Sequence, residues 1–230
     1  MSRGIFVTGT GTDIGKTYVT ALMVKALRCG GINAGYYKAA LSGAERRGNL
    51  LVPGDAKYVC DTAKIGDAPS SLVSFIYETP VSPHLASETE GRPFRLNTAL
   101  SDFRAISKKF DYLTVEGCGG IVCPLRREGI RIMQTDLIKA LELEIIIVTG
   151  AGLGAINSAV LTCEYAKSHN IKCAGLIING YKKDNFMHRD NLKEIEELSG
   201  VPVIATAEKG AENLSLRTDS LVSYYKEIMI

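Results

Sequence analysis

At 230 residues, with 46% hydrophobic and 23% charged side chains, the chain has the make-up of a globular protein of one domain. Lys and Arg number 27 against 25 Asp and Glu; that near-neutral balance, with no Trp and 7% aromatics, argues against a nucleic-acid backbone or stacked bases as the main partner. The longest apolar runs, such as Ile145-Ile146-Ile147-Val148, are strand-length and argue against a membrane span.

Met1-Ser2-Arg3 runs straight into an apolar strand at Gly4–Val7 with no small-residue cleavage site, the expectation for a cytoplasmic protein. A helix is predicted from about Lys16 to Arg28, with Val19, Leu22, Met23, Ala26 and Leu27 on one face and Gly30-Gly31 as its stop. A short strand follows at Ala34–Tyr37. The stretch from Leu41 to Gly54, with Arg46 and Arg47 in it, reads as Gly-rich and mobile. Thr98–Phe110 is helical by periodicity, and Tyr112–Val115 is a buried strand ended by Glu116. Then come helix Asp136–Leu141, strand Ile145–Val148, helix Ala155–His169, strand Cys173–Ile178, helix Met187–Leu198, strand Val201–Ala205 and a last helix near Leu216–Met229. Ile- and Val-rich strands alternating with helices predict an α/β fold, a mostly parallel sheet covered on both faces. No repeat or linker divides residues 1–230, so one domain is expected.

Six cysteines (Cys29, Cys60, Cys118, Cys123, Cys163 and Cys173) include no Cys-x-x-Cys pair and read as reduced, mostly buried thiols. His84, His169 and His188 stand at no ligand spacing, which argues against zinc.

Gly9-Thr10-Gly11-Thr12-Asp13-Ile14-Gly15-Lys16-Thr17 lies between the first strand and the first helix and ends as a Walker A loop does. Glycines let successive backbone N–H groups turn inward, and the helix aims its positive end at the same point, so a polyphosphate is the ligand such a loop suits. Lys16 would reach the β- and γ-phosphates and Thr17 would ligate Mg²⁺. The loop is a variant, because the first Gly of the usual pattern falls on Thr10. A dinucleotide fingerprint does not fit: the gap from Gly11 to Gly15 is one residue too long, and no acid follows about 20 residues on to hold a ribose.

Mg²⁺ bound to ATP takes a carboxylate or two. Glu116 ends an apolar strand, where a carboxyl end delivers its side chain to the crevice, and Gly117-Cys118-Gly119-Gly120 behind it can approach phosphates closely. Asp55, after Pro53-Gly54, reads on position alone as a helix N-cap. Lys38 is on spacing alone either a surface lysine or a cation beside the loop, and Ser42 an ordinary loop serine. Asn179 could pair with adenine through its amide or simply start the turn at Gly180. Leu153-Gly154-Ala155 opens a helix whose free N–H groups could hold a carboxylate.

Taken in order, these segments resemble the dethiobiotin synthetases, ATP-dependent carboxylases of biotin synthesis with a P-loop NTPase-like fold. The resemblance rests on Val7–Thr17, on Gly35-Tyr36-Tyr37-Lys38 with Ser42-Gly43, and on Asp55. It continues through Ser82-Pro83-His84, Val115–Gly120, Leu153-Gly154-Ala155-Ile156-Asn157 and Asn179. It implies that 7,8-diaminononanoate and CO₂ form a carbamate, that a carbamate oxygen attacks the γ-phosphate of ATP, and that the second amine then closes the ureido ring. It implies Mg²⁺ on Thr17, Asp55 and Glu116, and Lys16 and Lys38 as the catalytic cations. Nucleotide contacts fall to Thr12–Thr17, Gly117, Cys118, Gly119 and Asn179. Substrate contacts fall to Ser42 and, across a homodimer interface, to Leu153, Gly154 and Ala155. Ala39 stands where the family commonly has Pro, and Ala205-Thr206-Ala207 replaces the usual Ile-Pro ending of the adenine-side strand. His84, Arg126-Arg127 and Lys182-Lys183 are assigned no chemistry.

Two other P-loop readings compete. Amide-forming ligases of cobyrinic-acid type carry a glutaminase region, for which 230 residues leave no room. Partition-type ATPase switches carry a signature lysine five residues before the Walker lysine, a position held here by Gly11.

Overall fold

Burial on both faces is the rule for the strands, as their near-continuous apolar runs require. The computed structural model describes residues 2–229. Its first half runs β1 (Arg3–Gly9), α1 (Lys16–Cys29), β2 (Ala34–Leu41), β3 (Glu45–Arg47), β4 (Leu50–Val52), α2 (Gly54–Ala63), β5 (Val73–Ile76), α3 (Pro83–Thr89), α4 (Leu96–Ser107) and β6 (Tyr112–Glu116). The second half runs β7 (Pro124–Arg126), β8 (Ile132–Met133), α5 (Gln134–Leu141), β9 (Ile145–Gly150), α6 (Ala155–Ser168), β10 (Cys173–Asn179), α7 (Phe186–Ser199), β11 (Val203–Ala207), α8 (Thr218–Leu221) and β12 (Lys226–Glu227).

The main sheet has the order β11-β10-β9-β1-β6-β2-β5, every neighbouring pair parallel. The carboxyl ends of β1, β2, β6, β9 and β10 therefore share one edge, and the loops that leave it can converge on a ligand. The helices cover both faces, and one apolar cluster, from Ile5, Phe6 and Val7 through Ile145–Val148 to Ile177, runs through the sheet.

Four local expectations change. The second strand does not stop at Tyr37 but continues to Leu41, with all eight of its residues buried, so Lys38 lies inside the sheet rather than at its end. The Leu41–Gly54 stretch contains the β3–β4 hairpin, in which Arg47 pairs with Leu50 and Gly48 (φ 60°) takes the first place of a two-residue turn. Asp55, expected as a helix N-cap, stands instead in the first turn of α2, behind Pro53 at the cap position, and Pro83 opens α3 at its first turn. The C-terminal helix expected near Leu216–Met229 is only α8 and a 3₁₀ turn at Val222–Tyr224, followed by β12. Tertiary packing overrides helical propensity there. Tyr225 is buried with its hydroxyl 2.7 Å from Thr114 Oγ1 and its ring edge-on to Tyr112, and β12 runs antiparallel to the start of β1.

Candidate active site

The site grows from the turn between β1 and α1. Gly15 caps α1 at φ 93°, a left-handed conformation that favours glycine; a Cβ there would stand 2.1 Å from the Asn179 amide nitrogen. The first turn of α1 holds no acidic side chain, so its positive end is open to an anion. Lys16 is buried and folds back to donate to the Gly11 carbonyl at 2.8 Å. Burial, and then the charge of Lys38, hold its pKa below the ordinary lysine value.

Alternation along β2 sends Tyr36 and Lys38 to one face of the sheet and Tyr37 to the other, where it meets Phe103. Lys38 pairs in register with Glu116 on β6, and both are almost wholly buried. Such charges persist inside a sheet only when paired. The Lys38 Nζ donates to Glu116 Oε1 and to Asp55 Oδ2, each at 2.7 Å. Glu116 Oε1 also accepts from Thr17 Oγ1 at 2.7 Å, and its Oε2 from the Tyr36 hydroxyl at 2.9 Å. Asp55 stands in the first turn of α2, where the helix dipole favours its charge.

The titration of this cluster follows its contacts. Burial alone would pull Lys38 down, but the carboxylates of Glu116 and Asp55 hold it above its ordinary value. Burial likewise raises Asp55, and the Lys38 ammonium outweighs it to leave the carboxyl below the usual range. Burial and the neighbouring Glu116 charge push the Tyr36 phenol well up.

These residues border a cleft of about 1050 Å³ that also takes in Thr12, Ser42, Ser82 and the Cys118–Gly120 turn. The turn is fixed by Gln134 on α5, which accepts from the Cys118 N–H at 2.6 Å and donates to Thr8 Oγ1 and the Gly120 carbonyl at 3.1 Å. Burial raises the Cys118 thiol above its ordinary value.

Of the residues singled out in the sequence, the structure brings together Thr12, Asp13, Gly15, Lys16, Thr17, Lys38, Ser42, Asp55, Glu116, Cys118 and Gly119. Ile14 and Gly117 sit just behind the cleft wall, where the Gly117 carbonyl is 3.4 Å from Lys38 Nζ. Asn179 lies on the far side of the loop and donates to the Ile14 carbonyl at 3.0 Å. Leu153, Gly154 and Ala155 share the sheet edge but do not line the cleft, and Leu153 is 93% exposed. Asn191 on α7 holds that second loop by donating to the carbonyls of Ala151 (2.8 Å) and Gly152 (3.0 Å). Gln134 and Asn191 carried no functional signal in the sequence, and Tyr36 no role of its own.

Two carboxylates and a hydroxyl around an ammonium make a hard-oxygen donor set that suits a divalent ion such as Mg²⁺. Among the described residues no three of His, Cys, Asp and Glu cluster as a metal cage. A site of this kind leaves positions for phosphate oxygens and water, the habit of nucleotide-bound Mg²⁺.

A protein-family model described as an AAA domain matches residues 3–211. The ATP-dependent dethiobiotin synthetase BioD of Clostridium botulinum (strain Alaska E43 / Type E3) is 47% identical over 225 residues, 98% of this chain and 99% of its own. The protein of the same name from strain ATCC 19397 / Type A is 47% identical over 228 residues, 99% of this chain and 100% of its own. Among solved structures, a ParA family ATPase from Chlorobium tepidum TLS superposes with a TM-score of 0.56 at 17% identity, covering 97% of this chain and 90% of that one. A MinC:MinD cell division complex from Aquifex aeolicus gives 0.57 at 14% identity, over 90% of this chain and 81% of that one. At such identities these two likenesses concern the fold alone.

Proposed function

The chain belongs to the dethiobiotin synthetase family, and from that premise we propose how its residues divide the work of the reaction. It is an ATP-dependent ligase of dethiobiotin synthesis. Thr17, Asp55 and Glu116 would hold Mg²⁺, which supplies charge neutralisation to the transferring phosphoryl group. Backbone N–H groups of Thr12–Thr17 and of Gly117, Cys118 and Gly119 surround the phosphates. Lys16 exchanges its bond to the Gly11 carbonyl for the β- and γ-phosphates. Lys38 turns from the carboxylates toward the carbamate made from 7,8-diaminononanoate and CO₂. Its charge lowers the cost of attack by a carbamate oxygen on phosphorus and of phosphate departure when the second amine closes the ring. Ser42 orients the carbamate, and Asn179 keeps an amide oxygen for the adenine.

Leu153, Gly154 and Ala155 lie away from this chain's own cleft, so we assign them to the carboxylate of a diamine bound in a second copy. A homodimer follows from that assignment, with exposed Leu153 at the helix end that would face the second copy. Six free thiols support a reducing, cytoplasmic setting.

The observation that carries this reading is the Lys38 ammonium bound at 2.7 Å to both Asp55 and Glu116, beside Thr17 of the phosphate loop. The test is ADP formation with ATP, Mg²⁺, bicarbonate and 7,8-diaminononanoate. Turnover is expected only when diamine and bicarbonate are both present; comparable ADP release without the diamine would overturn the reading.

A further inference from the structure

Glu116 uses its two oxygens differently. Oε1 accepts from Lys38 Nζ and from Thr17 Oγ1, both at 2.7 Å, whereas Oε2 accepts from the Tyr36 hydroxyl at 2.9 Å. Tyr36 has no exposed surface, and among the described residues Glu116 is the hydroxyl's one hydrogen-bond partner. β2 forces this arrangement, because Tyr36 precedes Lys38 by two residues and so shares its face. A carboxylate held at one oxygen cannot rotate to offer both to the same cation. The Lys38 ammonium meanwhile occupies the ground between Asp55 and Glu116, the two carboxylates assigned to the metal.

We propose that Tyr36 is a positioning residue for the metal end of the site. By holding Glu116 Oε2 it leaves Oε1 as the one oxygen over which the Lys38 ammonium and a divalent ion exchange. Without the Tyr36 hydroxyl, Oε2 is left buried and unpartnered and the carboxylate turns both oxygens onto Lys38, a forked ion pair that the metal must break. With it, Lys38 has only Oε1 of Glu116 to release, and would turn into the cleft when Asp55 and Glu116 take up a divalent ion. Metal binding and delivery of the lysine thus become one event. The inference rests on the assignment of Thr17, Asp55 and Glu116 to the metal, and its test separates the two.

The experiment is titration with Mn²⁺, followed by the electron paramagnetic resonance signal of the free ion, with and without a non-hydrolysable ATP analogue. With the analogue present, Tyr36→Phe is expected to weaken Mn²⁺ binding about tenfold or more, the scale of losing a partner that orients a metal ligand. Affinity for the analogue in excess EDTA should be unchanged, which a merely structural defect would not spare. Lys38→Met, tested without nucleotide, should bind Mn²⁺ about tenfold more tightly than wild type, because the competing cation is gone. A Tyr36→Phe protein that binds Mn²⁺ within twofold of wild type overturns the role of Tyr36 alone. Should that variant not fold, Lys38→Met decides: affinity equal to or weaker than wild type overturns the exchange. Wild-type protein that binds no Mn²⁺ even with the analogue overturns the metal assignment and this inference with it.

Discussion

The two loops that leave neighbouring strands of the sheet are built to opposite plans. Around β1, β2 and β6 the polar groups are already engaged with one another: Lys16 with Gly11, Lys38 with Asp55 and Glu116, Glu116 with Thr17 and Tyr36. After β9, the Gly150–Gly154 turn is tied down from behind by Asn191 and by the Ser158 hydroxyl on the Gly154 carbonyl, and presents an open helix end and an exposed Leu153. The first region carries its own counter-charges and so is complete in one chain. The second has nothing of this chain's cleft in front of it. A site assembled from both would need one region to be electrostatically self-sufficient before ligand arrives and the other to meet its ligand across an interface.

The largest expected effect tests the self-sufficient region. Lys16→Ala and Lys38→Ala should each lower turnover at least about 100-fold, the scale of losing one positioned electrostatic stabiliser. Lys38→Ala should also cost about 3 kcal/mol of stability in denaturant melts, because Glu116 loses its buried counter-ion. Lys16→Ala should leave stability nearly unchanged, since its one bond is to a loop carbonyl. An unimpaired Lys38→Ala enzyme would remove the distinction between the two loops.

A charge at the second loop should act on a different quantity. Gly152 has open space around it and an ordinary φ, so Gly152→Asp is sterically tolerated. Its carboxylate should raise the half-saturating diamine concentration about tenfold by like-charge repulsion while leaving that of ATP unchanged. Equal shifts in both would mean that the loop serves the nucleotide.

Gln134→Leu is a milder probe of the first region. It orphans the Cys118 N–H and should cost about 1–3 kcal/mol in thermal or denaturant unfolding. ATP binding should weaken severalfold as the Cys118–Gly120 turn loosens.

pH gives the finest separation. The Asp55 carboxyl is held below its ordinary value of 3.8, so its stabilising contribution is present above that value and lost as pH falls through the lower folded-state value. Lys38 is held above 10.5, so its contribution is present below 10.5 and lost as pH rises through the higher one. Lys16 is held below 10.5 and disfavours its charged form in the fold, so of the two buried lysines it deprotonates first as pH rises. kcat/KM for ATP should therefore decline on the alkaline side while the melting temperature still holds. A simultaneous decline would place the loss in the fold rather than in Lys16.

How far the sequence could be read depends on whether the cause is local. The phosphate loop is legible because strand, glycines and helix start lie within fifteen residues and need no distant partner. The parallel core is legible for the same reason, since Ile145–Val148 or Cys173–Ile178 announces itself by composition. Lys38 is harder: a charged residue in a short apolar run looks like a strand end, and only Glu116, 78 residues away, makes it a buried mid-strand group. The C-terminal segment misleads because Tyr225 finds Thr114 across 111 residues, and no periodicity encodes that. Tyr36 had a readable clue in its two-residue spacing from Lys38. Gln134 had none, because its partners come from residues 8, 118 and 120.

The division between the loops is tested most directly by mixing two variants that are each impaired for a different reason, Lys38→Ala and Gly152→Asp, at low diamine, and allowing subunits to exchange. If the second loop serves its partner's cleft, each mixed dimer regains one intact site, and activity should rise to about a quarter of wild type in a two-fold assembly. No recovery, with exchange verified by mass spectrometry of the intact dimers, would mean that both loops act within one chain and would contradict the account.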